Sequence, residues 1–238
     1  MSTSQLPLAL RWPRRQRFEH FYAGDSAVTV DSVRRAAALG GQPWPFVVGP
    51  HGSGKTHILA AACQLATECG WRVQYLPLAT LGAGAVPALR GSVGSEFVAL
   101  DDVEAIAGNR EAEHALFDFY NRAHAEDVTL VFASACTPAQ LSLTLPDLRS
   151  RLAACTLCPL KPLDEASRRR VLHDYARARG IELDAHVLDW LFTRYARDLG
   201  ALHALLDELD SASLAAKRRI TVPFLRDFLR EREDQGKA

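Results

Sequence analysis

Between Pro45 and Phe132 the apolar positions fall into short continuous runs: Phe46-Val47-Val48, Val73-Gln74-Tyr75-Leu76, Phe97-Val98-Ala99-Leu100 and Val128-Thr129-Leu130-Val131-Phe132. Each has the length of a strand, and continuous hydrophobicity is what a strand needs when both of its faces are covered. Between these runs the period changes. From Lys55 to about Cys69, and from about Arg110 to Ala125, apolar side chains recur at helical spacing. Strands alternating with helices predict an α/β unit with a parallel sheet sandwiched by helices. The glycine-rich stretch around Gly82 to Gly94 reads as a loop.

After Leu163 the strand pattern stops. Asp164 is placed to cap a helix over 165–179, which Gly180 then ends; further helices are predicted over 184–195, over 197–216, and from Thr221-Val222-Pro223 to about Arg232. Helices without a sheet need a surface to cover, and the edge of the α/β unit is the expected one. The pattern therefore divides the chain into a tail over 1–17, an α/β core over 18–160 and a small all-helical domain over 161–238.

Composition narrows the class. The chain has 238 residues, 48% hydrophobic and 24% charged, which excludes a disordered, collagen-like or disulfide-scaffold protein. Net charge is zero, from 28 basic and 28 acidic residues, but it is unevenly spread: +4 over 1–17, −5 over 18–160 and +1 over 161–238. A core of that sign does not grip nucleic acid by bulk electrostatics. Only four basic residues are lysines (Lys55, Lys161, Lys217, Lys237), so each lysine invites a reason. The five cysteines are an odd number without framework spacing, as in a reducing compartment. Cys155-Thr156-Leu157-Cys158 is a lone pair with no second pair to complete a zinc site, and Leu157 and Leu160 are read as alternating inward on a buried strand. No run approaches the roughly 18 apolar residues of a membrane span. The first ten residues are followed by Arg11, Arg14, Arg15 and Arg17, the reverse of a secretory signal. A cytoplasmic location is expected, with no membrane partner.

Chemistry enters at Gly49-Pro50-His51-Gly52-Ser53-Gly54-Lys55-Thr56. This is G-x-x-x-x-G-K-[ST], directly after an apolar strand and directly before a helix. Chance would supply the pattern in a chain of this composition with an expectation of about 0.002. The glycines let backbone N–H groups wrap a phosphate chain at a helix N-terminus. Lys55 would reach the β- and γ-phosphates and Thr56 would offer its hydroxyl to Mg²⁺, with ATP or ADP as the nucleotide. Lys55 is the only lysine between residues 18 and 160. Downstream, the strand Phe97-Val98-Ala99-Leu100 ends in Asp101 and Asp102. Asp101 would hold Mg²⁺ through water, and Asp102 would orient or deprotonate an attacking water.

With these motifs the chain resembles the AAA+ P-loop NTPases, and within them the DnaA-type replication proteins, over 18–229. The resemblance implies an AAA+ core followed by a helical lid. Phe18-Glu19-His20-Phe21-Tyr22-Ala23-Gly24-Asp25 is similar to the family's opening box, which puts Phe21 near the adenine; read without the family it is an amphipathic lead-in strand. Leu130 to Ser134 resembles the sensor 1 strand and puts Ser134 near the γ-phosphate. Leu148-Arg149-Ser150-Arg151-Leu152 resembles the box ending in the arginine finger, here Arg151, with Arg149 the alternative. Tyr195-Ala196-Arg197-Asp198-Leu199 resembles sensor 2 and makes Arg197 the lid's phosphate contact.

The initiator's own DNA-binding domain would follow the lid, and a helicase loader's extra domain would precede the core. Neither is expected here, with a few residues after the last lid helix and 17 residues before Phe18. Gln5-Leu6-Pro7-Leu8-Ala9-Leu10 resembles a clamp-binding peptide, with Gln5, Leu6, Leu8 and Leu10 filling apolar pockets on the sliding clamp, the β subunit of DNA polymerase III. Pro7 favours the extended form this needs, and packing of the segment on the protein's own core is the competing reading. The resemblance implies a regulatory inactivator of DnaA. Such a protein meets DNA indirectly, through the clamp, and stimulates hydrolysis of DnaA-bound ATP with Arg151 while turning over little or no ATP itself; a homodimer is compatible with it. The alternative is a nucleotide-gated adaptor, like a helicase loader, without that stimulation.

Overall fold

The computed structural model describes residues 16–181, 183–195, 199–216 and 220–235. The chain divides into two units, Met1–Lys161 and Pro162–Ala238, each taken by itself below.

In the first unit, five strands form one parallel sheet in the order β2-β3-β4-β1-β5: β1 (Pro45–Val48), β2 (Val73–Pro77), β3 (Phe97–Asp101), β4 (Thr129–Ser134) and β5 (Thr156–Pro159). The period of two along each strand sorts its side chains into two cores. Phe46, Val98, Leu100, Leu130 and Phe132 face one way, against Leu116, Phe119 and Tyr120 of α5 (Arg110–Ala125) and Leu148 and Leu152 of α6 (Pro146–Ala153). Val47, Phe97, Ala99, Val131 and Ala133 face the other way, against Val33 and Ala37 of α1 (Ala27–Leu39) and Ile58, Leu59 and Cys63 of α2 (Lys55–Glu68). The alanines on this second face let α2 lie close to the sheet centre, and its central residues Ile58 to Gln64 are all buried.

Several expectations need correcting. Leu157 is 49% exposed, while Cys158 and Leu160 are buried; the inward parity on β5 is therefore even, and the strand lies at a sheet edge where one odd-numbered apolar residue can face solvent. The stretch after β2 is no plain loop. It folds into α3 (Leu78–Leu81), a 3-10 turn and α4 (Ala85–Gly91), and buries Leu78, Ala85 and Leu89, because apolar side chains at helical spacing outweigh the scattered glycines. The segment after Arg17 makes two short 3-10 turns, Phe18–His20 and Gly24–Ser26, in place of a lead-in strand. Helix α1 was not anticipated, since its inward face is largely alanine and valine.

The second unit contains α7 (Glu165–Arg177), α8 (Ala185–Tyr195), α9 (Leu199–Ala216) and α10 (Val222–Gln235). Asp164 caps α7, its carboxylate accepting from Ser167 N at 2.7 Å, and Gly180 supplies the left-handed residue that follows, at φ +72°. These helices cover one another: Leu172, Leu191, Phe192, Leu205, Leu206, Leu209 and Leu225 form a core of their own. Amphipathic stripes on four helices are enough to close a small bundle without a sheet.

Candidate functional site

The phosphate loop begins where β1 ends. Gly49 N donates to Ser134 O at 3.2 Å, tying the loop to the end of β4. A Cβ on Gly49 would lie 2.4 Å from Leu160 O and 2.7 Å from Ser53 Oγ, so only glycine passes here. Gly52 and Gly54 stand at φ +76° and +97°, conformations costly to residues with a Cβ. The loop thus curls back on the first turn of α2.

Lys55 opens that helix and is buried; its Nζ donates to Gly49 O at 2.8 Å and Pro50 O at 3.2 Å. The ammonium lies across the loop. Ser53 Oγ is buried and has no hydrogen-bond partner among the described residues, an orphan that an incoming oxygen would satisfy. Orphan hydroxyl, glycine-only curl and helix N-terminus together fit a bound phosphate chain. His51 stands exposed at the loop's tip.

Thr56 Oγ1 donates to Asp101 Oδ2 at 2.7 Å. Asp101 is buried at the end of β3, where Tyr75 OH donates to the same Oδ2 at 2.8 Å and Asp102 N to Oδ1 at 3.0 Å. Three donors fix this carboxylate beside the Thr56 hydroxyl, the pair expected to hold Mg²⁺. Burial pushes the Tyr75 phenol up, reinforced by Asp101, so it stays a neutral donor. Asp102 takes a left-handed backbone at φ +55°. Partial burial, with Asp101 and Glu104 nearby, raises its pKa above the ordinary carboxylate range, the direction that favours accepting a proton.

Ser134 ends β4 in register with Val48, and its hydroxyl accepts from Cys136 N at 3.3 Å. Phe21 lies over the loop: its ring edge is 2.9 Å from where a Gly54 Cβ would be, and it meets His57 edge-on at 5.2 Å between centroids. His57 Nε2 donates to Arg17 O at 3.3 Å, and burial lowers the His57 pKa.

Arg149 and Arg151 lie elsewhere. Both are exposed on α6, whose Leu148 and Leu152 face inward, and no acidic side chain among the described residues pairs with either. Arg151 is in the last turn of α6, which leads directly into the start of β5 at Thr156; Thr156 N donates to the carbonyl of Trp44, just before β1, at 2.8 Å. That is the strand-start side of the sheet, whereas Gly49 to Thr56 follow the strand ends. Gln5, Leu6, Leu8, Leu10 and Arg197 lie outside the described residues.

Sequence reading missed Tyr75, Glu104 and Glu113. Glu104 accepts from Ala135 N at 3.0 Å, just after Ser134, and nothing in its local sequence signals that. Glu113 carried a legible signal: it shares the inward stripe of α5 with Leu116 and Tyr120.

A parallel sheet with a glycine loop between strand end and helix, a fixed Thr56–Asp101 pair and a helical bundle following defines an AAA+ nucleotide-binding protein. Residues 13–158 match the model of the bacterial DnaA ATPase domain, and residues 164–229 match that of the Hda lid domain. The chain belongs to the bacterial DnaA ATPase-domain family, in the branch related to Hda. An uncharacterised protein of Haemophilus influenzae is 36% identical over 226 residues, covering 94% of this chain and 98% of that protein. Among solved structures, domain III of Thermotoga maritima DnaA has a TM-score of 0.76 at 22% identity, covering 91% of this chain and 98% of that one. AMPPCP-bound DnaA from Aquifex aeolicus has a TM-score of 0.68 at 23% identity, covering 84% and 65%. These last two likenesses concern fold.

Proposed function

We propose that this protein is a clamp-dependent inactivator of the replication initiator. It holds an adenine nucleotide in its own phosphate loop and supplies Arg151 in trans to the ATP of a neighbouring DnaA molecule. The observation that carries the reading is the separation of its two chemistries. The loop Gly49 to Thr56 follows the strand ends, while Arg151 stands exposed near the strand starts, with no acidic partner among the described residues. An arginine so placed stands at the other end of the sheet from its own loop and is available to another molecule's nucleotide.

In its own site, Lys55 would exchange the Gly49 and Pro50 carbonyls for phosphate oxygens, Ser53 would gain a partner, and Phe21 would flank the base. Thr56 and Asp101 would hold Mg²⁺, which neutralises phosphate charge when bound. The AMPPCP bound in a structural neighbour supports an adenine nucleotide. Asp102 and Ser134 complete the set at the γ-phosphate end, with Arg197 assigned to the lid contact. A planar guanidinium supplied in trans spreads over the equatorial oxygens of the transferring phosphoryl group and accelerates hydrolysis by about 10³ to 10⁵.

The tail supplies the second half of the reading, with Gln5, Leu6, Leu8 and Leu10 as the clamp contact. Deleting residues 1–10 tests it, by measuring hydrolysis of DnaA-bound ATP with clamp loaded on DNA. Loss of stimulation with unchanged nucleotide affinity is expected. Undiminished stimulation would overturn the clamp contact.

A further inference from the structure

Glu113 is fully buried in the inward stripe of α5, and no basic side chain among the described residues pairs with it. Its partners are N–H and O–H donors from two other segments. Gly108 N donates to Oε1 at 2.8 Å; Thr144 N lies 3.1 Å from Oε1 and 2.9 Å from Oε2; Thr144 Oγ1 and Leu145 N each donate to Oε2 at 2.8 Å. Burial alone would raise its pKa, but these hydrogen bonds outweigh burial and hold it below the ordinary carboxylate value. The group is therefore an anion, enclosed by donors.

The segments it joins are functional ones. Gly108 belongs to the loop that follows Asp101, Asp102 and the 3-10 turn Val103–Ile106. Thr144 and Leu145 are the last residues before α6, the helix that carries Arg149 and Arg151. Leu145 occupies the N-cap of α6 and has no side-chain oxygen to offer, and Pro146 follows it at the first turn. A remote carboxylate thus anchors the helix origin: it takes the N–H groups of Leu145 at the N-cap and of Thr144 just before it, as the acid of a capping box takes the N-cap N–H, and places negative charge at the positive end of the helix. Leu148 and Leu152, buried beneath α6, set its rotation; the Glu113 bonds set where it begins.

We propose that Glu113 is the positioning residue of the arginine-bearing helix: its carboxylate fixes the origin of α6 against the loop following Asp101 and Asp102, and so fixes where Arg151 is presented. The inference rests on the in-trans reading of Arg151 given above. Glu113 itself touches no phosphate.

The test uses the full chain with DnaA–ATP and DNA-loaded clamp. Hydrolysis of the bound ATP is followed at increasing concentrations of wild type, Glu113→Gln, Glu113→Asp and Arg151→Ala, so that maximal rate and half-saturating concentration separate. Fluorescent ADP affinity and thermal unfolding are measured on the same samples. Glutamine keeps the shape but turns an NH₂ donor toward N–H donors. Its maximal rate should fall at least about tenfold, within the roughly 10²-fold that an ångström of misplacement costs. Half-saturation and ADP affinity should stay within about twofold, and aspartate, keeping the charge, should recover part of the rate. An unchanged maximal rate in folded Glu113→Gln, beside loss in Arg151→Ala, overturns the proposal alone; so does an equal loss of ADP affinity, which marks general disruption. Full stimulation by Arg151→Ala overturns the underlying reading and the proposal with it. Should Glu113→Gln not fold, Thr144→Ala removes a single donor hydroxyl. A smaller fall in maximal rate at constant ADP affinity then supports the proposal, and no fall overturns it.

Discussion

The two units bury their interiors differently. The ten polar or charged side chains that are buried among the described residues, from Ser26 to Ser134, all belong to the α/β unit; the helical unit buries an apolar cluster alone. A buried polar group left unpaired costs about 1–3 kcal/mol, so each must be satisfied or have another reason to stay. Asp101 and Glu113 are satisfied by several donors each. Ser53 is not, and it sits in the phosphate loop. Buried polarity is therefore concentrated in the unit that carries the candidate site, and the unsatisfied Ser53 hydroxyl lies in its phosphate loop. The helical unit keeps its polarity at or near the surface, in the cap at Asp164, in the pairs of Arg169 with Glu165 and Asp189, and in the half-buried pair of Arg179 with Asp207.

The strongest way to break this contrast is at Lys55. Lys55→Ala removes the ammonium and its bonds to the Gly49 and Pro50 carbonyls, so fluorescent ADP titration should find affinity lowered by about 10²-fold or more, from a charge-assisted contact to phosphate worth about 3 kcal/mol. The unfolding midpoint without nucleotide should fall modestly, reflecting about 1–3 kcal/mol or less from the carbonyls left unpaired. Unchanged affinity would separate the loop from nucleotide binding.

In the helical unit the equivalent damage is apolar. Leu206 is fully buried in its core, and Leu206→Ala should cost about 2–5 kcal/mol from lost burial and the cavity left behind. Denaturant unfolding followed by the fluorescence of Trp190, which packs against that core, measures it. A loss below about 1 kcal/mol would mean the bundle is too loosely packed to act as a fixed unit.

Acid sharpens the contrast in the other direction. The Glu113 carboxyl is held below its ordinary value of 4.5. For an acid whose folded pKa is depressed, the stability it contributes is complete above the unfolded pKa and is lost as pH falls through the folded one. The α/β unit should therefore lose stability below about pH 4.5, and Glu113→Gln should flatten that part of the profile. Equal slopes for wild type and variant would contradict the assignment.

How much of this was legible depended on whether the signal was local. The loop Gly49 to Thr56 and the strand ending at Asp101 announce themselves because every donor and ligand lies within a few residues. The runs at Phe46, Phe97 and Val128 became strands for the same reason, since continuous burial leaves a continuous run. What sequence concealed was tertiary. Tyr75 reaches Asp101 from the neighbouring strand, a pairing that strand order decides. Glu113 finds three of its four donor groups 31 and 32 residues away, although an acid on an apolar helical stripe was visible. Leu157 was misread because inward parity on an edge strand depends on which neighbour it joins. The alanine-rich α1 was missed because small side chains give a weak periodic signal, yet small side chains are what let it pack close to α2.

The central claim is that chemistry on the partner's nucleotide comes from Arg151, while this chain's own loop only holds a nucleotide. The most direct measurement is the rate at which ATP already bound to DnaA becomes ADP, with clamp-loaded DNA and either wild type or Arg151→Ala, both saturated with ADP. Wild type should accelerate hydrolysis by about 10³-fold or more, and Arg151→Ala should leave the rate of DnaA alone, with ADP affinity unchanged. Full acceleration by Arg151→Ala would contradict the account.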